Sequence, residues 1–437
     1  MKLFIKHLKK IFVFLGSLFI IRHSIALGPW PDLSWYLQYG NAQFPSDSFT
    51  DGNGISISNS GNVYTIGTTT GSLHNQRQNG HDDYWISSYD SDGRFNWARQ
   101  VGSSGGFTHG ASISTDSNGN IYAVGDTDVG ISNITKRTLS TDFFITKYSS
   151  DGTELWTKLA GGESQTDITQ ATAITTDKEG NSYVIGNTNV SVLKKPKIGT
   201  ADYFIAKYDT TGKNIWAKQV GEPEASSYAK AIALDNKGHL YVTGLSHHDN
   251  LKVDHLIVAE YKTENGELIG QKSISNPDGT HIYGSAITVD NVGNVYVAGT
   301  TGIGAIGGQM VNRYFIIKYS NDMSSLWTTV STSTTTYGSG IGTDTLGNSY
   351  LIGNTEVALP GQEQKSEIDY FIAKYNAKGQ LVKSIQIGGA RLGLVLGSGM
   401  YIDNNNIYLV GDTTTGLYNM PMMGHMDYFI VKYKNIN

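Results

Sequence analysis

The side chains best suited to chemistry in this sequence are histidines and carboxylates, and they occur in a few recurring spacings. His247-His248-Asp249, with His255 close behind, is the densest set of potential metal ligands. Adjacent residues of a strand point to opposite sides, so these converge only in a folded loop, and solvated loop histidines are the expectation. Asp116-Ser117-Asn118-Gly119-Asn120 shares part of a calcium-loop spacing. It lacks the run of acidic ligands and the closing Glu, so it reads as a hairpin turn. Asp83, Asp142, Asp202, Asp254, Asp369 and Asp427 recur at one place in a repeated pattern. A carboxylate present in nearly every copy is expected to be an internal hydrogen-bond acceptor. Met420-Pro421-Met422-Met423 offers soft thioethers, and a loop folded over one face is the expectation. No G-x-S-x-G, H-E-x-x-H or phosphate-binding loop stands out, and the chain has no cysteine. Thiolate chemistry and disulfides are thereby excluded; no metal or cofactor is expected, and the catalytic residues of any reaction are unknown from the sequence.

The elements that must position these residues are set by a repeat. An Ile-centred strand is followed by D-x-x-G-N-x-Y-x-x-G, a variable stretch, D-Y-F-I-x-K-Y, and often x-x-x-G-x-x-x-W-x-x-Q-x-G. The first tyrosine falls at Tyr64, Tyr122, Tyr183, Tyr241, Tyr296, Tyr350 and Tyr408, a mean period of about 57 residues. A second anchor at Tyr89, Tyr148, Tyr208, Tyr261, Tyr319, Tyr375 and Tyr433 repeats as often. Each copy holds four short strands, and turns such as Asp177-Lys178-Glu179-Gly180-Asn181 suit tight hairpins. The predicted fold is therefore all-β: a seven-bladed β-propeller of four-stranded antiparallel blades, a single domain over residues 34–437. The last copy stops at Lys432-Tyr433-Lys434 without its fourth strand, whereas Trp35-Tyr36-Leu37-Gln38-Tyr39-Gly40 matches that missing strand. The N-terminal strand is expected to complete the last blade and close the ring.

These residues resemble the bacterial seven-bladed β-propeller repeat, or SBBP repeat, over Ser34–Lys434. The resemblance implies an exported bacterial propeller and transfers no catalytic residue. The fourth and fifth copies depart from the pattern: His239 replaces the turn Asn, His255-Leu256 replaces the aromatic pair, no Trp lies near Gly266, and Arg313 replaces Asp. The sixth lacks its Trp around Leu381. The D-x-x-G-x-x-x-W run at Asp90–Trp97 and Asp209–Trp216 is similar to the tryptophan-docking segment of quinoprotein dehydrogenase propellers, which implies a structural role.

Met1–Ala26 reads as a signal peptide without a lipidation cysteine: Lys2, Lys6, Lys9 and Lys10 precede an apolar run too short to span a bilayer. Its removal takes away five basic residues and no acidic one, changing the formal charge from −5 to −10. Nucleic acid is not an expected partner of so acidic a chain, and no membrane span is expected after cleavage. The expected location is periplasmic, cell-surface or extracellular. Short A–B and C–D turns fall on one face of a propeller, and the variable B–C and D–A connections fall on the other, which is the face expected to recognise ligands. His109, Tyr228, His281, Tyr283, Tyr337 and Arg391 are the D–A loop residues expected to bind; His74, Arg77, Lys194, Lys195, His247, Gln364 and Met422 occupy the B–C loops. The expected function is a non-catalytic binding module for protein or glycan. The alternative is a polysaccharide hydrolase or lyase at the axial mouth of the loop face.

Overall fold

A computed structural model describes residues 30–41, 48–136, 140–235, 237–248, 250–306, 309–403, 405–434 and 436, with backbone alone for 303–306, 309 and 310. The signal peptide expected over Met1–Ala26 lies outside the described residues, as does Asp249. The described strands form seven four-stranded antiparallel sheets, and the chain is a seven-bladed β-propeller. In blade 1 the strands run, from the axis outward, Thr50–Ile57 (A), Val63–Thr69 (B), Asp83–Tyr89 (C) and Phe95–Val101 (D). Blades 2 to 6 repeat this order. Their A strands are Thr108–Thr115, Thr169–Thr176, Ala225–Leu234, Ile282–Val289 and Thr336–Thr343, and blade 7 begins at Val395–Asp403. B and C strands are buried along nearly their whole length because both faces pack on neighbouring blades, so they read as continuous apolar runs.

The outer strand of blade 7 is the N-terminal Asp32–Tyr39, paired antiparallel with Asp427–Lys434 in the register Trp35↔Lys432, Leu37↔Ile430 and Tyr39↔Tyr428. Gln38 places its amide Nε2 2.9 Å from Asp427, the bond that Gln100 gives Asp83, Gln219 gives Asp202 and Gln386 gives Asp369. Each of these carboxylates also accepts two backbone N–H groups of the preceding connection, for example Asn79 and Gly80 at 2.7 Å from Asp83. The recurring Asp is thus the internal acceptor that fastens the loop to its blade.

Blades are joined by tryptophans of strand D. Trp156 and Lys147 both donate to the carbonyl of Thr210 in the next blade, at 3.1 and 3.2 Å, and Trp216 and Lys207 do the same to Thr263. The indole lies on a glycine with no room for a side chain: a Cβ on Gly212, at φ +80°, would stand 2.9 Å from Trp156. Blade 6 has Lys383 where the tryptophan belongs, paired with Lys374. The missing indole comes from the other end of the chain. Trp30 stacks under Lys383 at 5.7 Å and donates to the carbonyl of Ile436 at 3.1 Å, where Lys374 also donates at 2.8 Å. Between blades 4 and 5 the device is inverted. Gly270 stands at the tryptophan place, opposite Glu260, and the glycine of the receiving turn is replaced by Met323, buried at φ +62° among Tyr241, Val258 and Ile317.

Candidate ligand site at the axial mouth

Strand A of each blade starts at the loop face and neighbours strand A of the next blade, so the seven surround the axis. Four residues ahead of the central Ile or Met, each has a side chain reaching solvent between two buried neighbours. These are Asp51, His109, Gln170, Tyr228, Tyr283, Tyr337 and Leu396, a ring at the mouth of the axial channel. The following residue is always Gly or Ala because adjacent inner strands nearly touch; a Cβ on Gly110 would meet the Gly67 carbonyl at 2.7 Å. That closeness lets its N–H reach a B-strand side chain of the preceding blade. Ala229 donates to Asn187 at 2.9 Å, Gly397 to Asn354 at 2.9 Å and Gly52 to Asp412 at 2.6 Å. One residue further on, every A strand carries a β-bulge, which pins the register and fixes the direction of the mouth residues.

The ring has two unlike halves. Blades 4, 5 and 6 present Tyr228, Tyr283 and Tyr337 in succession. The His281 ring lies nearly parallel to that of Tyr283, with centroids 6.1 Å apart. Tyr337 donates its hydroxyl to Glu356 at 3.1 Å and accepts from Asn312 at 3.1 Å, which holds the ring upright. Blades 7, 1 and 2 present Leu396, Asp51 and His109 above an acidic surround. His109 lies between Asp126 at 3.2 Å and Asp82 at 3.1 Å. Its hydrogen bonds to Asp126 and then to Asp82 push its pKa up to about 10, which favours the imidazolium at neutral pH. Asp412 is held well above the usual carboxylate range, first by burial and then by the neighbouring charge of Asp51.

Four of the six residues expected in D–A loops belong to strands instead: His109, Tyr228, Tyr283 and Tyr337 stand in the A strands, while His281 and Arg391 remain in connections. The correction has a physical cause. The strand extends beyond its apolar centre because its first residue still pairs with strand B, as in Thr108↔Thr127. His247 likewise lies in strand B of blade 4, Gly244 and His248 being part of the same extended strand His239–His248. Alternation divides the histidines: His247 bonds Asp254 at 2.6 Å on one face, while His248 bonds Glu222 at 3.1 Å and packs edge-on against His255 with centroids 5.2 Å apart on the other. Among the described residues no group of His, Asp and Glu is arranged to hold a metal. Asp116 closes its hairpin by accepting from Asn118 and Asn120 at 2.9 Å, as the turn reading required. Asp51, Asp82, Asp126, Gln170, Glu356 and Asp412 were missed. The signal for Asp51 and Gln170 was their fixed distance ahead of Ile55 and Ile174; Asp82 and Glu356 carried none.

Fold and mouth together define the class: a β-propeller with an asymmetric ring of side chains on its loop face. Five stretches, residues 96–131, 155–194, 215–252, 278–304 and 330–359, match the SBBP β-propeller repeat, and the chain carries repeats of that family. No curated protein matches it in sequence. Among solved structures it resembles the polysaccharide lyase Uly1 (TM-score 0.52, 13% identity, 95% of each chain covered). It also resembles the β-propeller domain of the Trilobed protease from Pyrococcus furiosus (TM-score 0.45, 10% identity, 89% of this chain and 96% of that one). At these identities the likeness is one of fold.

Proposed function

We propose that the chain is a non-catalytic glycan-binding module, acting outside the cytoplasm, whose ligand lies across the axial mouth against Tyr228, Tyr283 and Tyr337. The observation that carries this reading is the placement of three half-exposed tyrosines at one position of three consecutive inner strands. Their rings are rigid, apolar on the face and polar at the tip, which suits the apolar faces and hydroxyl rims of sugar rings. Carboxylates across the mouth, Asp51, Asp82 and Asp126, supply acceptors for further hydroxyls. A polysaccharide is also the substrate class in the name of the lyase sharing the fold. A catalytic reading rests on one observation, the Asp51–Asp412 pair, in which burial and the Asp51 charge raise the pKa of Asp412, the direction a general acid requires.

The test uses protein recovered from the envelope or medium, with its mature terminus near Leu27 read by mass spectrometry. On a glycan array and by calorimetry, Tyr228→Ala, Tyr283→Ala and Tyr337→Ala combined should weaken binding at least tenfold with the melting curve little changed. Lys178→Ala and Lys378→Ala, in the short turns of the opposite face, should leave it intact. Loss of binding in the short-turn pair alone overturns the site. Release of new chain ends from a bound polysaccharide, abolished by Asp412→Asn, replaces the binding reading with the catalytic one.

A further inference from the structure

We infer that Arg313 is an anion-recognising residue of this site, so that the glycan bears carboxylate or sulfate groups; the inference rests on the binding reading above. Six blades place Asp where blade 5 has Arg313, and in the repeating blades that Asp is fully answered. Asp369, for instance, accepts from the Lys365 and Ser366 N–H groups at 2.9 and 2.8 Å and from Gln386 at 2.8 Å. Blade 5 changes both sides of this arrangement. The glutamine's place, opposite the second aromatic residue of strand C, is taken by Val330 opposite Phe315. The connection that in blades 1, 3, 6 and 7 coils back over the Asp is here an extended hairpin, Val295–Ile306 and Gln309–Tyr319.

A guanidinium put in a carboxylate's place inherits none of the carboxylate's donors as partners. Among the described residues the Arg313 side chain has no hydrogen bond or ion pair, and its Nε is buried without an acceptor. A half-buried cation with an unanswered donor is costly unless something supplies an acceptor, and the planar fork of arginine matches the paired oxygens of a carboxylate or sulfate. Its placement connects it to the mouth. Arg313 pairs with Thr301 and Thr301 with Ile282, so it shares a row with the residue between His281 and Tyr283. Its neighbour Asn312 donates to Tyr337. The other half of the ring, where Asp51, Asp82 and Asp126 outnumber the His109 cation held between two of them, is acidic on balance and so orients such a ligand toward blade 5.

Calorimetry with three oligosaccharides of similar length tests this: an oligogalacturonate, a sulfated galactan oligomer and a neutral galactan oligomer. At least one anionic oligomer should bind tenfold or more tighter than the neutral one, and whichever does identifies the group. Arg313→Gln should erase that preference while leaving neutral binding unchanged; Arg313→Lys, which keeps the charge without the fork, should restore part of it. Equal binding of all three oligomers, or a preference that survives in a folded Arg313→Gln protein, overturns the role of Arg313 and leaves the tyrosine site standing. Failure of all three to bind overturns both.

Discussion

At the scale of the residue, the repeat allows one blade to be read against another, and differences become informative. Asp412 does for Gly52 what Asn187 and Asn354 do for Ala229 and Gly397, but as an acid buried beside Asp51. Its pKa is raised on folding, so the stability it contributes is fully present below the unfolded value, near 3.9, and falls as pH rises toward the folded one. At neutral pH the group is therefore a cost. Asp412→Asn, which keeps the acceptor for Gly52, is expected to raise stability at pH 7 by about 1 kcal/mol and to flatten the decline above pH 4. Melting curves at several pH values check this; a variant less stable at pH 7 would show that the charge is answered in the folded state. The same comparison explains what the sequence made legible. His109, Tyr228, Tyr283 and Tyr337 could be picked out as unusual, whereas their common origin on strand A depended on where each strand starts. Arg313 was visible as a departure, and its lack of a partner became visible only with Val330 placed opposite Phe315.

At the scale of the element, number, order and pairing of strands followed from the repeat because two anchors in every copy fix the count and the pattern fixes the register. The closure by Asp32–Tyr39 was legible for the same reason, as a displaced copy of a known strand. The means of joining blades 6 and 7 was not. Trp30 stands outside the repeated segment, and only the shared carbonyl of Ile436 shows that it replaces the indole absent beside Lys383. Trp30→Ala should accordingly destabilise the fold by about 2–3 kcal/mol, comparable with Trp156→Ala in an ordinary blade. Denaturant midpoints for the two variants make the comparison, and a Trp30→Ala protein as stable as the parent would mean that the seam closes without it.

For the whole molecule, the seam that lacks most of the repeated joining devices is an internal one. Tyrosine hydroxyls bridge neighbouring blades at Tyr84–Tyr148, Tyr203–Tyr261, Tyr314–Tyr375, Tyr370–Tyr433 and Tyr89–Tyr428, at 2.5 to 2.8 Å. Between blades 4 and 5 His255 stands in the tyrosine's place, and the Tyr319 hydroxyl is buried without a partner. The docking tryptophan is also missing there, with Met323 filling in. Native-state hydrogen exchange should therefore find the amides of Leu268–Ile274 and Ile282–Val289 less protected than those of Asp32–Tyr39. Equal or greater protection between blades 4 and 5 would place the weak point at the closure. The closure itself has a consequence in time. Within the propeller, Asp32–Tyr39 is made before every other strand and its partner Asp427–Lys434 after every other. While the strands between them are made the first strand is without its partner, so the ring closes only once the last strand of blade 7 is in place.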